Sequence, residues 1–250
     1  MKISIVTVVY NNRDTIADAI KSVLGQRHAD IELIVIDGAS TDGTLEVLAG
    51  YASKIAVLVS EPDGGIYDAL NKGIDRATGD VVGFLHSDDL LADDQAISRI
   101  VACMEDSTVD AVYGDLVYVR KDDPMRVVRT WKASEFTQSA LAHGWMPPHP
   151  TFYARRSVYE RLGKFDTTFK IAADYDCMLR ILKSGVGVTY IPHLQVRMRV
   201  GGVSNRSLSN IVKKSREDIR ALRKNNISAT VALICKNARK LPQFFAHAGS

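Results

Sequence analysis

Apolar residues along the first hundred positions follow two alternating patterns. Four short runs rich in branched apolar residues have the character of buried strands, at residues 3–9, 31–36, 55–59 and 81–85. Between and after these runs, apolar residues recur every three or four positions, which predicts helices near 16–24, 40–48, 66–79 and 97–104. Ser40 or Thr41 is predicted to cap the second helix. Strands that alternate with helices favour a doubly wound, mostly parallel α/β sheet.

The pattern changes after about residue 110. Short strands or hairpins are predicted at 111–113, 116–120, 126–131 and 151–153, followed by a helix near 174–183 and a strand near 188–191. We expect these segments to add a smaller mixed or antiparallel part to the sheet. From about residue 207 the pattern is helical and basic. The chain therefore divides into a main domain over 1–205, with two halves that meet near residue 110, and a helical tail over 206–250.

Polar side chains gather where the predicted strands end. The first strand ends in Tyr10-Asn11-Asn12, the second at Asp37, the third shortly before Asp63, and the fourth in His86-Ser87-Asp88-Asp89. In an open parallel sheet, ligands bind beyond the carboxyl ends of the strands. Two adjacent carboxylates after a buried strand are costly unless a cation neutralises them, and a divalent cation that carries a diphosphate would do so. An ordinary surface turn is the alternative, because Ser-Asp-Asp is common in turns.

The chain lacks the glycine-rich motifs that usually surround phosphates. Neither G-x-x-x-x-G-K-[ST] nor G-x-G-x-x-G occurs in the sequence. Carboxylates can instead accept hydrogen bonds from a ribose and a base while a bound cation holds the diphosphate. Asp37 and Asp63 suit the first task, and Asp88 and Asp89 suit the ribose and the cation.

Taken together, these motifs resemble those of family-2 inverting glycosyltransferases with the glycosyltransferase A fold. The resemblance covers about residues 2–205 and rests on residues 4–12, 35–44 and 86–89, and on 162–166 followed by Asp174. It implies a nucleotide-sugar donor and a divalent metal, Mn²⁺ or Mg²⁺. The halves of the main domain then become a nucleotide-binding half and an acceptor half. The most similar members build bacterial surface polysaccharides, and their acceptors are usually sugars on a lipid carrier at the cytoplasmic membrane face.

The resemblance also implies a role for individual residues. Asp89 takes the metal position, and Asp174 takes the position of the catalytic base, with Asp176 as a weaker alternative. Nucleotide-binding positions fall on Thr7, Tyr10, Asn11, Asp37, Asp63 and Asp88. Three positions depart from the family pattern: Ala173 replaces a common Glu, Leu70 replaces a common Arg, and His86 replaces the first acid of a three-residue acidic motif.

Three further residues are candidate contacts to the acceptor or the diphosphate, and each has a structural alternative. His149 lies between prolines at the start of a predicted strand, but a lone histidine is more often structural. Arg199 precedes a glycine pair and could close over the diphosphate, or lie on a plain surface strand. Trp145 could stack on a sugar face or pack in the core.

The tail carries a charge that the chain as a whole does not show. The net charge is +3, yet residues 206–240 hold ten Lys or Arg against two acids. Val231, Ile234, Ala238, Leu241 and Phe245 form one apolar stripe. Such a helix either packs on the body or lies on an anionic membrane surface. We expect no nucleic-acid partner.

Composition and the chain start indicate the compartment. The hydrophobic content of 46% and charged content of 24% are ordinary for a globular protein. Three widely spaced cysteines fit no metal motif and favour a reducing compartment. The chain shows no basic-then-apolar leader and no apolar run of about 20 residues. We therefore expect a cytoplasmic protein, free or peripheral on the inner face of the cell membrane.

Two other classes of protein remain open at this point. A sugar nucleotidyltransferase would need a glycine-rich basic loop after the first strand, and residues 10–13 match that poorly. A non-catalytic sugar-binding or scaffold protein could share the fold, although the retained acids Asp88, Asp89 and Asp174 argue against it.

Overall fold

The computed structural model describes residues 1–201 and 208–238. These residues form nine strands and eight helices, together with three short 3₁₀ turns. The strands are β1 Ile3–Val9, β2 Ile31–Asp37, β3 Val57–Ser60, β4 Val81–Phe84, β5 Leu90–Leu91, β6 Ala111–Val119, β7 Val127–Trp131, β8 Tyr153–Arg155 and β9 Val188–Arg199. The helices are α1 Ile16–Leu24, α2 Thr44–Ala49, α3 Ile66–Arg76, α4 Ala96–Met104, α5 Arg156–Leu162, α6 Ala173–Lys183, α7 Leu208–Lys224 and α8 Ala229–Ala238.

All strands belong to one mixed sheet with the order β3-β2-β1-β4-β8-β6-β9-β5, and β7 pairs with β6. The first four strands are parallel, as the alternating pattern predicts. Strand β8 runs antiparallel to both β4 and β6, which joins the parallel half to the mixed half. The predicted fold class, a largely parallel α/β sheet with a mixed part, is confirmed.

Helices cover both faces of the parallel half. Every residue of β1 is buried, and its side chains alternate between two apolar clusters. Val6 packs with α3 residues such as Leu70 on one face, whereas Ile5 packs with α1 residues such as Ile20 on the other. Because both faces are covered, the polar residues at the carboxyl edge of the sheet have a rigid base.

Close packing at the junction between the two halves requires a glycine. A Cβ atom at Gly83 of β4 would lie 2.0 Å from the ring of Tyr153, which is fully buried on β8. No side chain fits there without moving the ring. The glycine in the fourth apolar run therefore brings the mixed half against the parallel half.

The second half differs from the sequence expectation in three places. Strand β6 is continuous through Gly114, where the pairing with β9 shifts register instead of ending. Strand β9 continues past Pro192 to Arg199, well beyond its predicted end. Helix α5 was not predicted, because its seven residues carry little apolar periodicity. Each difference arises from pairing or packing with distant segments.

The described part of the tail packs on the body. Helix α7 lies against α6, and α8 lies against the 3₁₀ turn Gln138–His143. Ala221, Leu222 and Ala232 are fully buried, whereas Val231 and Ile234 are 47% and 66% exposed. The other members of the predicted stripe, Leu241 and Phe245 and the side chain of Ala238, lie outside the described residues. No described helix combines the length and the apolar character that a membrane crossing needs.

Candidate active site

The loops after β1 and β2 are tied together by hydrogen bonds around Asp37. This carboxylate is fully buried and accepts bonds from the hydroxyl of Ser40, the backbone N–H of Ser40 at 3.0 Å and the hydroxyl of Ser60 at 2.6 Å. Ser40 therefore does not cap α2, and the prediction that Ser40 or Thr41 does so is wrong. The helix begins at Thr44, whose backbone N–H donates to the Asp42 carboxylate at 3.0 Å.

Asn11 locks the two loops in register. Its backbone has a φ of 48°, in the left-handed region that asparagine tolerates better than most residues. Its N–H donates to the Ser40 hydroxyl at 2.8 Å, and its side-chain carbonyl accepts from the Thr41 N–H at 2.8 Å. Thr7 lies inside the sheet at 1% exposure, while the Tyr10 ring is 66% exposed at the edge.

Asp63 approaches the same edge from the loop after β3. A Cβ atom at Gly38 would lie 2.7 Å from the Asp63 carboxylate and 3.3 Å from the Tyr10 ring. The other Asp63 oxygen accepts the Gly65 N–H at 2.8 Å. The structure thus gathers Tyr10, Gly38 and Asp63 around one point next to Asp37.

The acidic turn after β4 is fastened to the loop after β1. The Asn12 amide donates to the Ser87 hydroxyl and the Thr15 hydroxyl donates to the Ser87 carbonyl, both at 2.9 Å. Asp89 is 1% exposed, and its Oδ1 accepts the Arg199 N–H at 3.1 Å. Its Oδ2 is buried, and no donor in the described chain reaches it. Burial, with the Asp88 charge, raises the pKa of Asp89 well above its usual range.

Arg199 supports this turn from the end of β9. It is 4% exposed, and its guanidinium donates to the Asp88 carbonyl at 2.9 Å and to the Asp18 carboxylate at 2.7 Å. The alternative of a plain surface strand is therefore wrong for Arg199. These contacts orient the acidic turn, and a contact from Arg199 to the diphosphate stays a prediction.

Asp174 faces this acidic turn from the first turn of α6. Its Oδ1 accepts the Tyr67 hydroxyl at 3.1 Å, and its Oδ2 lies 3.5 Å from Nδ1 of His149. The rings of His149 and His86 meet edge to face at 5.8 Å, and His86 lies two residues before Asp88. The charges of Asp88 and Asp174 both act on His86. Asp174 therefore contacts His149, whose ring packs on His86 at the start of the acidic turn.

His149 is uncharged at neutral pH, and the charged form of His86 is disfavoured. Burial lowers the pKa of His149 to about 4, and burial also lowers the pKa of His86. The Asp174 side chain is 22% exposed, so a small group can reach it from solvent. His149 thus contacts the predicted base without forming an ion pair with it at pH 7.

Asp176 and Trp145 have structural partners instead. Asp176 is fully buried and binds Arg180 and Lys224, both at 3.0 Å, which disfavours it as a base. Trp145 is 9% exposed, and its indole N–H donates to the Ser134 hydroxyl at 3.1 Å. Its ring packs on two other aromatic rings, Tyr113 and Phe136. This environment favours the core alternative for Trp145.

The acidic turn fits a hard divalent cation that has few protein ligands. Across the described residues, His, Cys, Asp and Glu form no group of three that could hold a metal ion. The buried oxygen of Asp89, which lacks a partner within residues 1–201 and 208–238, and the carboxylate of the neighbouring Asp88 are candidate cation ligands. A cation of the Mg²⁺ type is bound by one or two carboxylates when substrate phosphates and water supply the other ligands.

Tyr67 was missed by the reasoning from sequence. Its hydroxyl contacts Asp174, 107 residues later in the chain, and the pattern of α3 gives no sign of this. Burial and the Asp174 charge raise the pKa of Tyr67, so the phenol stays protonated as a donor.

The fold and the acidic loops define an α/β enzyme of the glycosyltransferase class. The sequence matches the family model Glycosyl transferase family 2 over residues 4–171, and the chain therefore belongs to that family. The predicted family, fold and glycosyltransferase function are confirmed. The match ends before Asp174, so the role of that residue stays a prediction.

Two relatives illustrate the similarity in sequence. A PGL/p-HBAD biosynthesis glycosyltransferase of Mycobacterium tuberculosis (strain H37Rv) is 29% identical over 208 residues, which is 81% of this chain and 78% of the relative. TuaG of Bacillus subtilis (strain 168), named as a candidate teichuronic acid biosynthesis glycosyltransferase, is 36% identical over 126 residues, or 49% of this chain and 50% of TuaG.

Two solved structures share the fold. S. aureus TarS 1–349 in complex with UDP-GlcNAc superposes with a TM-score of 0.68 at 16% identity, over 99% of this chain and 73% of that one. The chain spans 44% of the longer TarS chain. The mannosyltransferase PcManGT of Pyrobaculum calidifontis, in complex with GDP-Man and Mn²⁺, has a TM-score of 0.63 at 22% identity, over 100% of this chain and 76% of that one.

Proposed function

We propose that this chain is a metal-dependent, inverting glycosyltransferase that moves a sugar from a nucleoside diphosphate to a hydroxyl of a saccharide. One observation carries the proposal. Asp89 presents a buried oxygen that no donor among the described residues reaches, and Asp174 approaches the same place through His149 and His86. One side of the site then suits a metal-bound diphosphate, and the other suits the attacking alcohol.

The donor nucleotide lies along the edge formed by the loops after β1, β2 and β3. The exposed ring of Tyr10 offers a face to the base, and Asp63 and Asp88 supply hydrogen-bond acceptors to the base and ribose. Exposed Asn11 contributes its amide N–H groups as donors, and fully buried Asp37 shapes the nucleotide edge by holding Ser40 and Ser60. Thr7 supports this edge from inside β1. Complexes of fold neighbours with UDP-GlcNAc and with GDP-Man support a nucleotide-sugar donor and leave the base open.

The reaction is a single in-line displacement. The acceptor oxygen attacks the anomeric carbon, the bond from that carbon to the diphosphate breaks, and Asp174 takes the proton of the acceptor hydroxyl. Asp89 and Asp88 would hold a Mn²⁺ or Mg²⁺ ion, which would supply Lewis-acid stabilisation of the departing diphosphate. One displacement inverts the anomeric configuration. His149, 3.5 Å from the Asp174 carboxylate, is neutral at pH 7 and does not form an ion pair with it.

The acceptor is a growing surface polysaccharide on a lipid carrier. The relative named for teichuronic acid biosynthesis supports a role of this kind. Helix α7 presents the exposed basic residues Lys213, Arg216 and Arg223, which would meet anionic lipid at the cytoplasmic face of the membrane. On this proposal residues 1–205 are the catalytic domain, with donor and acceptor halves that meet near residue 110, and the segment after them directs the chain to its acceptor.

Reversing the charge of Lys213, Arg216 and Arg223 together should weaken binding to anionic vesicles by about 10²-fold, since each basic residue near such a surface contributes about 1 kcal/mol. Co-sedimentation with phosphatidylglycerol vesicles measures the effect. A control triple to Glu at the exposed residues Lys54, Arg126 and Arg161 makes the same change in net charge elsewhere. Equal losses in the two triples, or none in the first, would refute a membrane-binding role for α7.

The proposed function is tested by a thermal-shift screen of nucleoside diphosphates and their sugars, with and without Mn²⁺. A ligand that binds only the folded chain should stabilise it by about 2.7 kcal/mol at a hundred times its Kd. We expect this shift for one base and only with Mn²⁺, followed by slow release of the nucleoside diphosphate from its sugar. Pyrophosphate as the product would indicate a nucleotidyltransferase, and neither binding nor turnover would indicate a scaffold.

A further inference from the structure

Helix α7 supplies a carboxylate to the segment that precedes the proposed base. Glu217 accepts the backbone N–H groups of Lys170, Ile171 and Ala172, with distances of 3.0, 2.8 and 2.9 Å. These three residues lead directly into α6, which begins at Ala173. Asp174 is the second residue of that helix. A side chain from a distant helix therefore sets the backbone just before the base.

The local sequence cannot hold this turn by itself. The N-cap of α6 is Ala172, which has no side-chain acceptor, so the N–H groups at this end need a partner from elsewhere. A carboxylate is favoured there because the first turn of a helix carries partial positive charge. Hydrogen bonds to an ionised acceptor are also stronger than neutral ones. Glu217 binds the N–H of this N-cap residue and of the two residues before it, so it anchors the turn that leads into α6 and places a negative charge at the positive end of the helix.

The same segment is held from the opposite side by α3. The single proton of the Tyr67 hydroxyl is shared between the Ile171 carbonyl at 2.6 Å and Oδ1 of Asp174 at 3.1 Å. Ile171 is thus bound through its N–H by Glu217 and through its C=O by Tyr67. The Tyr67 hydroxyl also touches the carboxylate itself, so the position of the turn and the direction of the carboxylate are coupled.

Other side chains fix α7 against the same segment. Arg220 donates to the Thr168 carbonyl and hydroxyl, and its guanidinium lies 4.3 Å above the Phe169 ring. Lys224 bridges Asp166 at 2.8 Å and Asp176 at 3.0 Å. Both ends of the segment 166–172 are therefore attached to α7, which places Glu217 at a defined point along it.

We propose that Glu217 is a positioning residue for Asp174: it holds the turn 170–172 so that the carboxylate faces the donor, and Tyr67 secures the other side of that turn. The inference rests on the proposed function, because it takes Asp174 as the base. It also makes α7 a part of the catalytic machinery, although α7 lies outside the residues that match the family.

Glu217→Gln should lower the turnover rate without weakening the binding of the donor. The amide keeps one acceptor oxygen but loses the charge, so the turn before Asp174 is held less firmly. We expect kcat for release of the nucleoside diphosphate to fall by about 10–10²-fold, because a small displacement of a catalytic group lowers the rate by an amount of this order. The Mn²⁺-dependent thermal shift with the nucleoside diphosphate should stay within twofold in apparent affinity. Glu105→Gln, at an exposed site after α4, is the matched control and should change neither quantity.

Hydrogen–deuterium exchange gives a second measurement that does not depend on activity. In Glu217→Gln the amides of residues 170–174 should exchange faster, while β1, β2 and β4 keep their protection. Uniformly faster exchange would show a general loss of stability and would overturn the proposal, as would unchanged exchange at 170–174. Equal losses of kcat and donor affinity would also overturn it. If Asp174→Asn retains full turnover, the base assignment of the proposed function fails, whatever Glu217 does to exchange.

Discussion

Replacing Asp174 with asparagine is expected to lower sugar transfer by about 10²–10⁴-fold, the usual contribution of a general base. Asparagine is nearly isosteric and its carbonyl can still accept the Tyr67 hydroxyl, but the amide cannot take a proton from the acceptor. Donor binding should be nearly unchanged, because the nucleotide contacts are assigned to other loops. Initial rates of nucleoside diphosphate release, together with Mn²⁺-dependent thermal shifts, measure the two effects separately.

Asp30→Asn is the matched control for that experiment. Asp30 is exposed before β2, and its backbone carbonyl, not its side chain, accepts the Ile3 N–H. Its substitution should leave both rate and binding unchanged. Full transfer by the Asp174 variant would remove the base assignment, and loss of donor binding together with rate would place Asp174 in the donor site instead.

The parallel half of the fold could be predicted because local pattern and final position agree there. Strand β1 is apolar throughout and is buried on both faces, so its sequence matches its environment. The mixed half is different. Gly114 and Pro192 are usual signs that a strand ends, yet β6 and β9 continue through them because each pairs with the other. Only the partner strand determines that outcome.

The acidic residues of the site could be predicted for a related reason. Parallel strands bring their carboxyl ends to one edge, so Asp37, Asp63 and Asp88 converge once the strand order is known. The side chains that orient them carry no such signal. Tyr67 and Glu217 contact the turn before Asp174 from helices that are distant in sequence. Glu217 is one of only two acids in the strongly basic segment 206–240. The charge of that segment indicated a membrane-binding or solvent-exposed helix, and gave no sign that one of its side chains supports the site.

Replacing Asp89 with asparagine should abolish the gain in donor binding that Mn²⁺ provides. The rate of sugar transfer should fall by about 10³-fold. A metal that stabilises a leaving group contributes several kcal/mol, and each 1.36 kcal/mol is a factor of ten in rate. Asparagine can still accept the Arg199 N–H through its carbonyl, so the turn should keep its shape. What the variant lacks is the negative charge on the buried oxygen that has no partner in the described chain.

The same substitution should stabilise the metal-free protein, and this distinguishes a metal ligand from a structural acid. Asp89 is a buried charge beside Asp88, and burial and repulsion both act against its ionised form. Removing that charge should therefore raise the Tm measured without metal, while the further rise on adding Mn²⁺ and nucleoside diphosphate disappears. Asp30→Asn should leave both Tm values where they are. A lower metal-free Tm with an intact Mn²⁺ response would mean that Asp89 supports the fold and that the cation, if one binds, is held elsewhere.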